Sequence, residues 1–546
     1  MKEAGFATCT GPPEFIPLKA PFSNFDYVDK HFDEESAIRR LFSQARSHGA
    51  KTLIVEDIKA EGVLHSENRE ISKAYPDYKM TGLKRLSFWK RQIKSAGQLR
   101  VSASNDLIGY LIAKKDCVPS MQKDDWHVFE AVFKKYDHPH NCVPRQVRYP
   151  VKIANNDFEI EGVLYCQQNG LNKACAQVAL RSLCSLHIPL GEITYEKINE
   201  IAATAPGPYE PKNGLTTPQI RAVLAGFNLG FSDIDYLTEP PSVRSDLPYQ
   251  KLIYSGIESG AGALLGFQMA TRKTKGEKTK TEYHSIPFFG HTFNQDTWVA
   301  NATSAYFKVG KKTKYLPSET WLSSFIGHDD NFGSNYCVPR LFLKSKNVKY
   351  ALAILLPGAM YDGVRAETIA SDYLYSLKKD ANLATSSSTW VKRFYASSDQ
   401  QEVILRAISI SKEEYIAHLI EMRDWHNRRF PRSIRQLSEL LSDRLWMVEI
   451  SLPELFPINQ RKLGEIVLDA TRKPKPYIDY KTLLFARFPS HFFFVAGKEK
   501  NGEPKFLHIP SQIESHTKLY IKRESLRLSA TKLPYGSTRK RANPSD

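Results

Sequence analysis

The stretch from Tyr165 to His187 constrains this chain more than any other. A polar loop containing Gln167, Gln168, Asn169, Gly170 and Asn172 runs straight into an apolar pattern. Ala174, Val178, Ala179, Leu183 and Leu186 recur at helical spacing, which predicts a helix with Asn172 as its N-cap. That register puts Cys175 in the first turn. There the unpaired backbone N–H groups and the positive end of the helix dipole favour an anion, and a thiolate is an anion. A cysteine so placed has the setting of a nucleophile. The ordinary alternative is a buried, inert thiol, because free cysteine is among the most buried residue types.

A second stretch lies about a hundred residues on. Tyr283-His284-Ser285-Ile286-Pro287-Phe288-Phe289-Gly290-His291 is followed by Asp296-Thr297-Trp298-Val299-Ala300-Asn301-Ala302. It reads as a strand opening at His284, a turn with Gly290 and Asn294, and a second strand ending at Asn301. Two adjacent antiparallel strands would set His284 and Asn301 side by side. Asp296 competes for the same orienting role, since a carboxylate fixes an imidazole tautomer as well as an amide does.

This order of cysteine on a helix start, histidine on a strand and amide on the next strand resembles the papain-like cysteine peptidases. It is closest to the compact bacterial branch that processes bacteriocin leader peptides. The resemblance spans about residues 165 to 345. It implies Cys175 as nucleophile, His284 as general base and acid, Asn301 as the orienting residue, and an upstream glutamine as oxyanion-hole donor. Gln168 fits that last position, seven residues before Cys175, with Gln167 the alternative at eight. The implied activity is a cysteine-dependent hydrolase, a peptidase or amidase working through a thioester acyl-enzyme on a protein or peptide substrate. Transglutaminase-type acyl transfer uses the same groups. No cofactor and no metal are implied.

Length and composition frame this reading. A chain of 546 residues has room for two to four domains. With 42% hydrophobic and 25% charged residues it has an ordinary globular composition. Its 7 cysteines are scattered and contain no CxxC, which argues against a disulfide framework or a zinc ribbon and suits a reducing compartment. The N-terminal residues carry no apolar signal region and no run approaches a membrane span, so the expected location is the cytoplasm, away from membranes. The net charge of +17 gives affinity for anionic surfaces, weak nucleic-acid or polyanion binding included. The rival to the hydrolase is therefore a basic nucleic-acid- or partner-binding scaffold with an inactive papain-like domain.

Taken in order, the expected fold is α+β. An accessory α+β domain covers residues 1–160, with a helix over Glu34–His48 and strands at Thr52–Val55, Leu107–Ala113, Val128–Phe133, Gln146–Ile153 and Phe158–Leu164. The papain-like domain, a helical lobe plus an antiparallel sheet, covers 161–345. In it Tyr195–Ala203 and the segment from Thr216 to Phe227 read as helices, Leu252–Tyr254 and Ala263–Met269 as strands. The basic loop Thr271–Thr281 reads as a solvated excursion. His328-Asp329-Asp330-Asn331-Phe332-Gly333 has metal-ligand residue types, but Asp, Asn and Gly are turn formers and the expected role is a turn. Residues 346–519 form a C-terminal α+β domain, where Trp425, His426, Arg428 and Arg429 read as the charged end of a helix or a phosphate contact. A basic tail covers 520–546.

Overall fold

The computed structural model describes residues 2–518 apart from 19–24, 136–140, 172–173, 211–213, 244–246, 270–281, 294–314, 422–437, 457–460, 475–480, 499–503 and 511–516. The chain is α+β, and among the described residues three seven-stranded sheets carry it. Asn172, Asp296, Asn301, the basic loop at 271–281, the cluster at Trp425–Arg429 and the tail from 520 lie outside the described residues.

The first sheet runs in the order Glu14–Pro17, Thr52–Asp57, Lys79–Trp89, Leu107–Val118, Lys123–Phe133, Asn156–Tyr165, Val147–Ile153, all antiparallel. Alternation along Thr52–Asp57 sends Leu53 and Val55 to one face and Ile54 to the other, and both faces are covered. Helix Ser36–Ser47 covers the first with Ala37, Ile38, Leu41, Phe42 and Ala45. Helix Val63–Ala74 and strand Lys79–Trp89 are additions to the elements read from sequence.

The central sheet holds Gly333–Pro339, Leu322–Asp329, Glu282–Phe293, Ala263–Met269, Val348–Leu355 and Gly230–Asp235 in that order, with the short strand Asn141–Cys142 paired to His291 and Thr292. Helix Cys175–Cys184 lies on one face, where Ala176, Ala179, Leu180 and Leu183 pack with Leu264, Phe289, Ile326 and Leu352. Helix Tyr249–Glu258 lies on the other, with Leu252, Ile253 and Ile257 against Ala263, Leu265 and Phe288.

Two expectations change here. Leu252–Tyr254 belongs to that helix, not to a strand. All ten of its residues are buried, polar ones included, and the short apolar run Leu252-Ile253-Tyr254 within it cannot be told from a buried strand by periodicity alone. Gly290 is not a turn residue either, because the strand runs unbroken from Glu282 to Phe293. The glycine is needed for close approach. The register shifts between Phe288 and Gly290, and a Cβ there would sit 2.7 Å from the Cys142 carbonyl oxygen. Val348–Leu355, beyond the expected boundary at 345, pairs on both sides within the central sheet.

The third sheet is built from Leu316–Pro317, Ile404–Ser411, Arg444–Ser451, Gly464–Asp469, Leu483–Phe488, His491–Lys498 and Pro504–Pro510, with helix Gly363–Leu377 packed on it. Buried charges join it to the central sheet. Glu258 pairs with His291 and accepts from Arg406 Nε at 2.6 Å. Arg406 Nη1 donates to Glu449 at 2.9 Å, and Lys462 bridges Glu449 and Glu465 at 3.0 and 2.6 Å. Removing one partner from such a chain leaves an uncompensated buried charge, which costs about 3–5 kcal/mol. Among the described residues no helix is long and apolar enough to cross a membrane.

The Gly290 contact yields a prediction. Gly290→Ala must push the Cys142 carbonyl away, at a cost of about 1–3 kcal/mol. Hydrogen exchange should speed up at Cys142 and His291, while the far-UV spectrum stays unchanged.

Candidate functional site

Cys175 is the first residue of its helix. The cap position is Ala174, which has no side-chain acceptor, so the N–H groups of the first turn are not satisfied by a cap. Cys175 is partly exposed, whereas Cys184, at the other end of the same helix, is fully buried and its thiol is pushed up to about 12 by burial. The helix is anchored behind the site by Arg181, which donates to Glu130 Oε2 at 2.7 Å and reaches Cys166 Sγ at 3.0 Å.

His284 comes from the strand crossing in front of that helix. It pairs with Phe267 on the neighbouring strand, and the Phe267 ring meets the imidazole edge-on at 5.5 Å. The Cys175 thiol lies 3.9 Å from the carbonyl oxygen of Tyr283, the residue before His284, and is one of the groups that raise the pKa of the His284 ring. On its other side the ring meets the turn after strand Leu322–Asp329. Nε2 donates to Asp329 Oδ2 at 3.2 Å and lies 3.4 Å from Asp330 Oδ1. With Nε2 committed to the carboxylates, Nδ1 is the ring nitrogen left for the thiol.

The turn itself is held by Asp329. Its second oxygen accepts the backbone N–H groups of Asn331 at 2.8 Å and Phe332 at 3.1 Å. From outside, Gln44 of the N-terminal helix donates to the Ser334 carbonyl at 2.5 Å and accepts from the Ser334 hydroxyl at 2.8 Å. His328 is a structural residue of the same turn. Its Nδ1 accepts from the Asn335 N–H at 3.1 Å, so Nε2 carries the proton and donates to the Val163 carbonyl at 3.3 Å. Burial pulls its pKa down to about 3, which keeps it neutral.

The electrostatics at His284 run the other way. Burial alone would lower its pKa, but the hydrogen bonds to Asp329 and Cys175 and the Asp330 charge overcome that and raise it to about 10. Burial likewise opposes ionisation of Asp329, yet the His284 hydrogen bond and charge hold it below the ordinary range. Asp330 is pushed up to about 6 by burial and by the Asp329 charge, which outweigh the imidazolium beside it.

The sequence expectations sort cleanly against this geometry. Cys175 and His284 meet. Gln168 reaches the same place, donating from Nε2 to Asn331 Oδ1 at 3.3 Å, and Asn331 Nδ2 lies 3.5 Å from His284 Nε2. Gln167 is used elsewhere, accepting from the Val128 N–H and donating to Glu35, both at 2.8 Å. Asn301 and Asp296 lie outside the described residues, and the described group on His284 Nε2 is Asp329. The signal for Asp329 was present in the sequence as a polar run closing an apolar strand, which identified the turn but not its neighbour in space. Among the described residues, two side-chain sets have donor atoms close enough for a cation, namely His284 with Asp329 and Asp330, and Cys142 with Glu258 and His291. In the second, Arg406 already supplies a cation to Glu258. No family model, no curated protein and no solved structure matches this chain.

The pKa shift at His284 has a sign that can be checked. A folded-state value of about 10 lies above the ordinary 6.5, so the charged imidazole stabilises the fold fully below about pH 6.5, and that contribution is lost as the pH rises through 10. Asp329→Asn removes a full charge, and the His284 titration followed by NMR should fall by about 1–3 pH units.

Proposed function

We propose that the chain is a cysteine-dependent hydrolase, a peptidase or amidase with a papain-like central domain. The observation that carries this reading is the meeting of a partly exposed Cys175 at an uncapped helix start with a His284 ring held by a buried carboxylate. The open N–H groups of the helix start suit an anion and the carboxylates keep the proton on His284, which is the pairing that the mechanism uses.

In this mechanism the Cys175 thiolate attacks a carbonyl carbon. The oxyanion that forms is met by the first-turn N–H of Cys175 and by the Gln168 amide turned from Asn331, and each such donor contributes on the order of a hundredfold in rate. His284 gives its proton to the departing amine as the C–N bond breaks, leaving a thioester. His284 then takes a proton from water, which attacks the thioester and releases the acid and the thiolate. Asp329 fixes the ring so that Nδ1 faces the sulfur throughout. An amine in place of that water gives acyl transfer.

Iodoacetamide labelling of the native protein, followed at each cysteine by mass spectrometry against pH, tests the pair. Cys175 should react well ahead of the other six below pH 7, and His284→Ala should remove that lead. Labelling of Cys175 with the pH profile of an ordinary free thiol would overturn the reading. A graded pair of variants tests Asp329. An amide oxygen still accepts from Nε2–H, so Asp329→Asn should keep more of the labelling advantage and of any turnover than Asp329→Ala, which should lose roughly 10²-fold or more.

A further inference from the structure

Where helix Ser36–Ser47 of the N-terminal domain meets strand Gly333–Pro339 of the central sheet there is a cavity of about 130 Å³. Arg40 enters its wall from the helix, Asn335 and Cys337 from the strand, and Asn141 from the short strand paired to His291. Val143 and Ile326, both buried, supply its apolar part. Among the described residues no carboxylate lines it.

Arg40 is the group that this wall leaves without an acceptor. A guanidinium keeps its charge at any ordinary pH and presents its N–H donors as a rigid fork. Arg40 Nε is buried and has no hydrogen-bond partner among the described residues. Its Nη2 reaches the Asn335 carbonyl at 3.5 Å, the far limit of a hydrogen bond. The preceding residue shows the contrast, since Arg39 Nε donates to Asp29 at 2.8 Å. The Arg40 stem is nevertheless closely seated. Gly333 has a φ of +103°, and a Cβ there would lie 2.7 Å from Arg40 Cγ, so the turn that holds His284 ends at a residue that makes room for this side chain. The guanidinium charge is felt across the cavity, where it opposes the burial that raises the Cys337 thiol. A second basic side chain, Lys135, lies in the same wall.

We infer that this cavity is a site for a small oxyanion, a phosphate or carboxylate group, received by the Arg40 fork. Two oxygens of such a group match Nε and one Nη as parallel charge-assisted hydrogen bonds. The volume is about that of four waters, which holds a tetrahedral anion and excludes a nucleotide. The inference does not depend on the hydrolase reading. An anion here would lie across the join of helix and strand and would steady the turn from Asp329 to Gly333.

The test uses the full chain and reads Cys337, which shares the wall with Arg40. Its alkylation by iodoacetamide is followed by mass spectrometry in potassium phosphate, potassium acetate or potassium chloride of equal ionic strength. Phosphate or acetate at about 10 mM should slow Cys337 labelling about fivefold, as a dissociation constant of about 2 mM requires, and leave Cys117 unaffected. Which of the two salts protects identifies the anion. Arg40→Gln should abolish the protection, and Arg40→Lys, which keeps the charge but not the fork, should retain only part of it. Equal Cys337 rates in all three salts would mean that water or the chain itself satisfies Arg40, and that overturns the site. Protection that survives Arg40→Gln overturns it as well. Hydrogen exchange at the Asn331 and Phe332 amides, both bound to Asp329, should slow in the protecting salt. Unchanged exchange there beside a protected Cys337 supports the site and overturns its hold on the turn.

Discussion

A buried imidazolium is expensive. The effective penalty for taking such an ion out of water is several kcal/mol, and it is repaid only by close, well-placed opposite charge. At His284 that charge is supplied by one turn, Asp329 to Gly333, with Asp329 hydrogen-bonded to the ring and Asp330 close behind it. The rest of the site follows from this. A ring pinned on Nε2 has one nitrogen left, and the helix that begins at Cys175 sets its sulfur against the same strand, 3.9 Å from the Tyr283 carbonyl. The paired carboxylates divide the work. Asp329 stays ionised because it gains hydrogen bonds, while Asp330, without a hydrogen bond to its buried oxygens among the described residues, is held nearer to neutrality.

The turn is not supported by the central sheet alone. Helix Ser36–Ser47 reaches across from the first sheet, and its Gln44 binds Ser334 through both ends of the amide. Glu35, at the cap of that helix, accepts from Gln167 at the root of the loop before Cys175. One short segment of the N-terminal domain therefore touches both the acid side and the nucleophile side of the site. Displacing it would loosen the two halves together, as one substitution within the site would not.

Much of this architecture was legible in the sequence where one kind of pattern dominated. Thr217–Gly226 carries its own start signal, a capping box between Thr216 and Gln219 with a proline in the first turn. Helix Tyr195–Ala203 has a threonine cap and a clear apolar face. Cys175 and His284 were legible because each sits at the beginning of an element. What failed to read failed for physical reasons. In the helix Tyr249–Glu258 even Gln250, Lys251, Ser255 and Glu258 are buried, and its apolar run Leu252-Ile253-Tyr254 is too short to fix a period. Gly290 looks like a turn residue, but its lack of a Cβ serves a neighbouring chain segment 148 residues away in sequence, at Cys142. Asp329 was visible only as a turn former, since a turn residue and an imidazole partner have the same local signature. Their difference lies in a contact across 45 residues of chain.

The position of Val348–Leu355 bears on how this protein can be divided. It lies between Ala263–Met269 and Gly230–Asp235 and is the only described strand that joins them. A fragment trimmed at residue 345 would keep the cysteine and the histidine yet cut the edge strand Gly230–Asp235 off from the rest of the sheet. Two raw strand edges, with their unpaired N–H and carbonyl groups, would be left on either side of the missing strand, the kind of surface that recruits other chains. The stretch that bears the reactive groups is thus not a portable module, and any excised version must carry one strand of backbone partner from the C-terminal side.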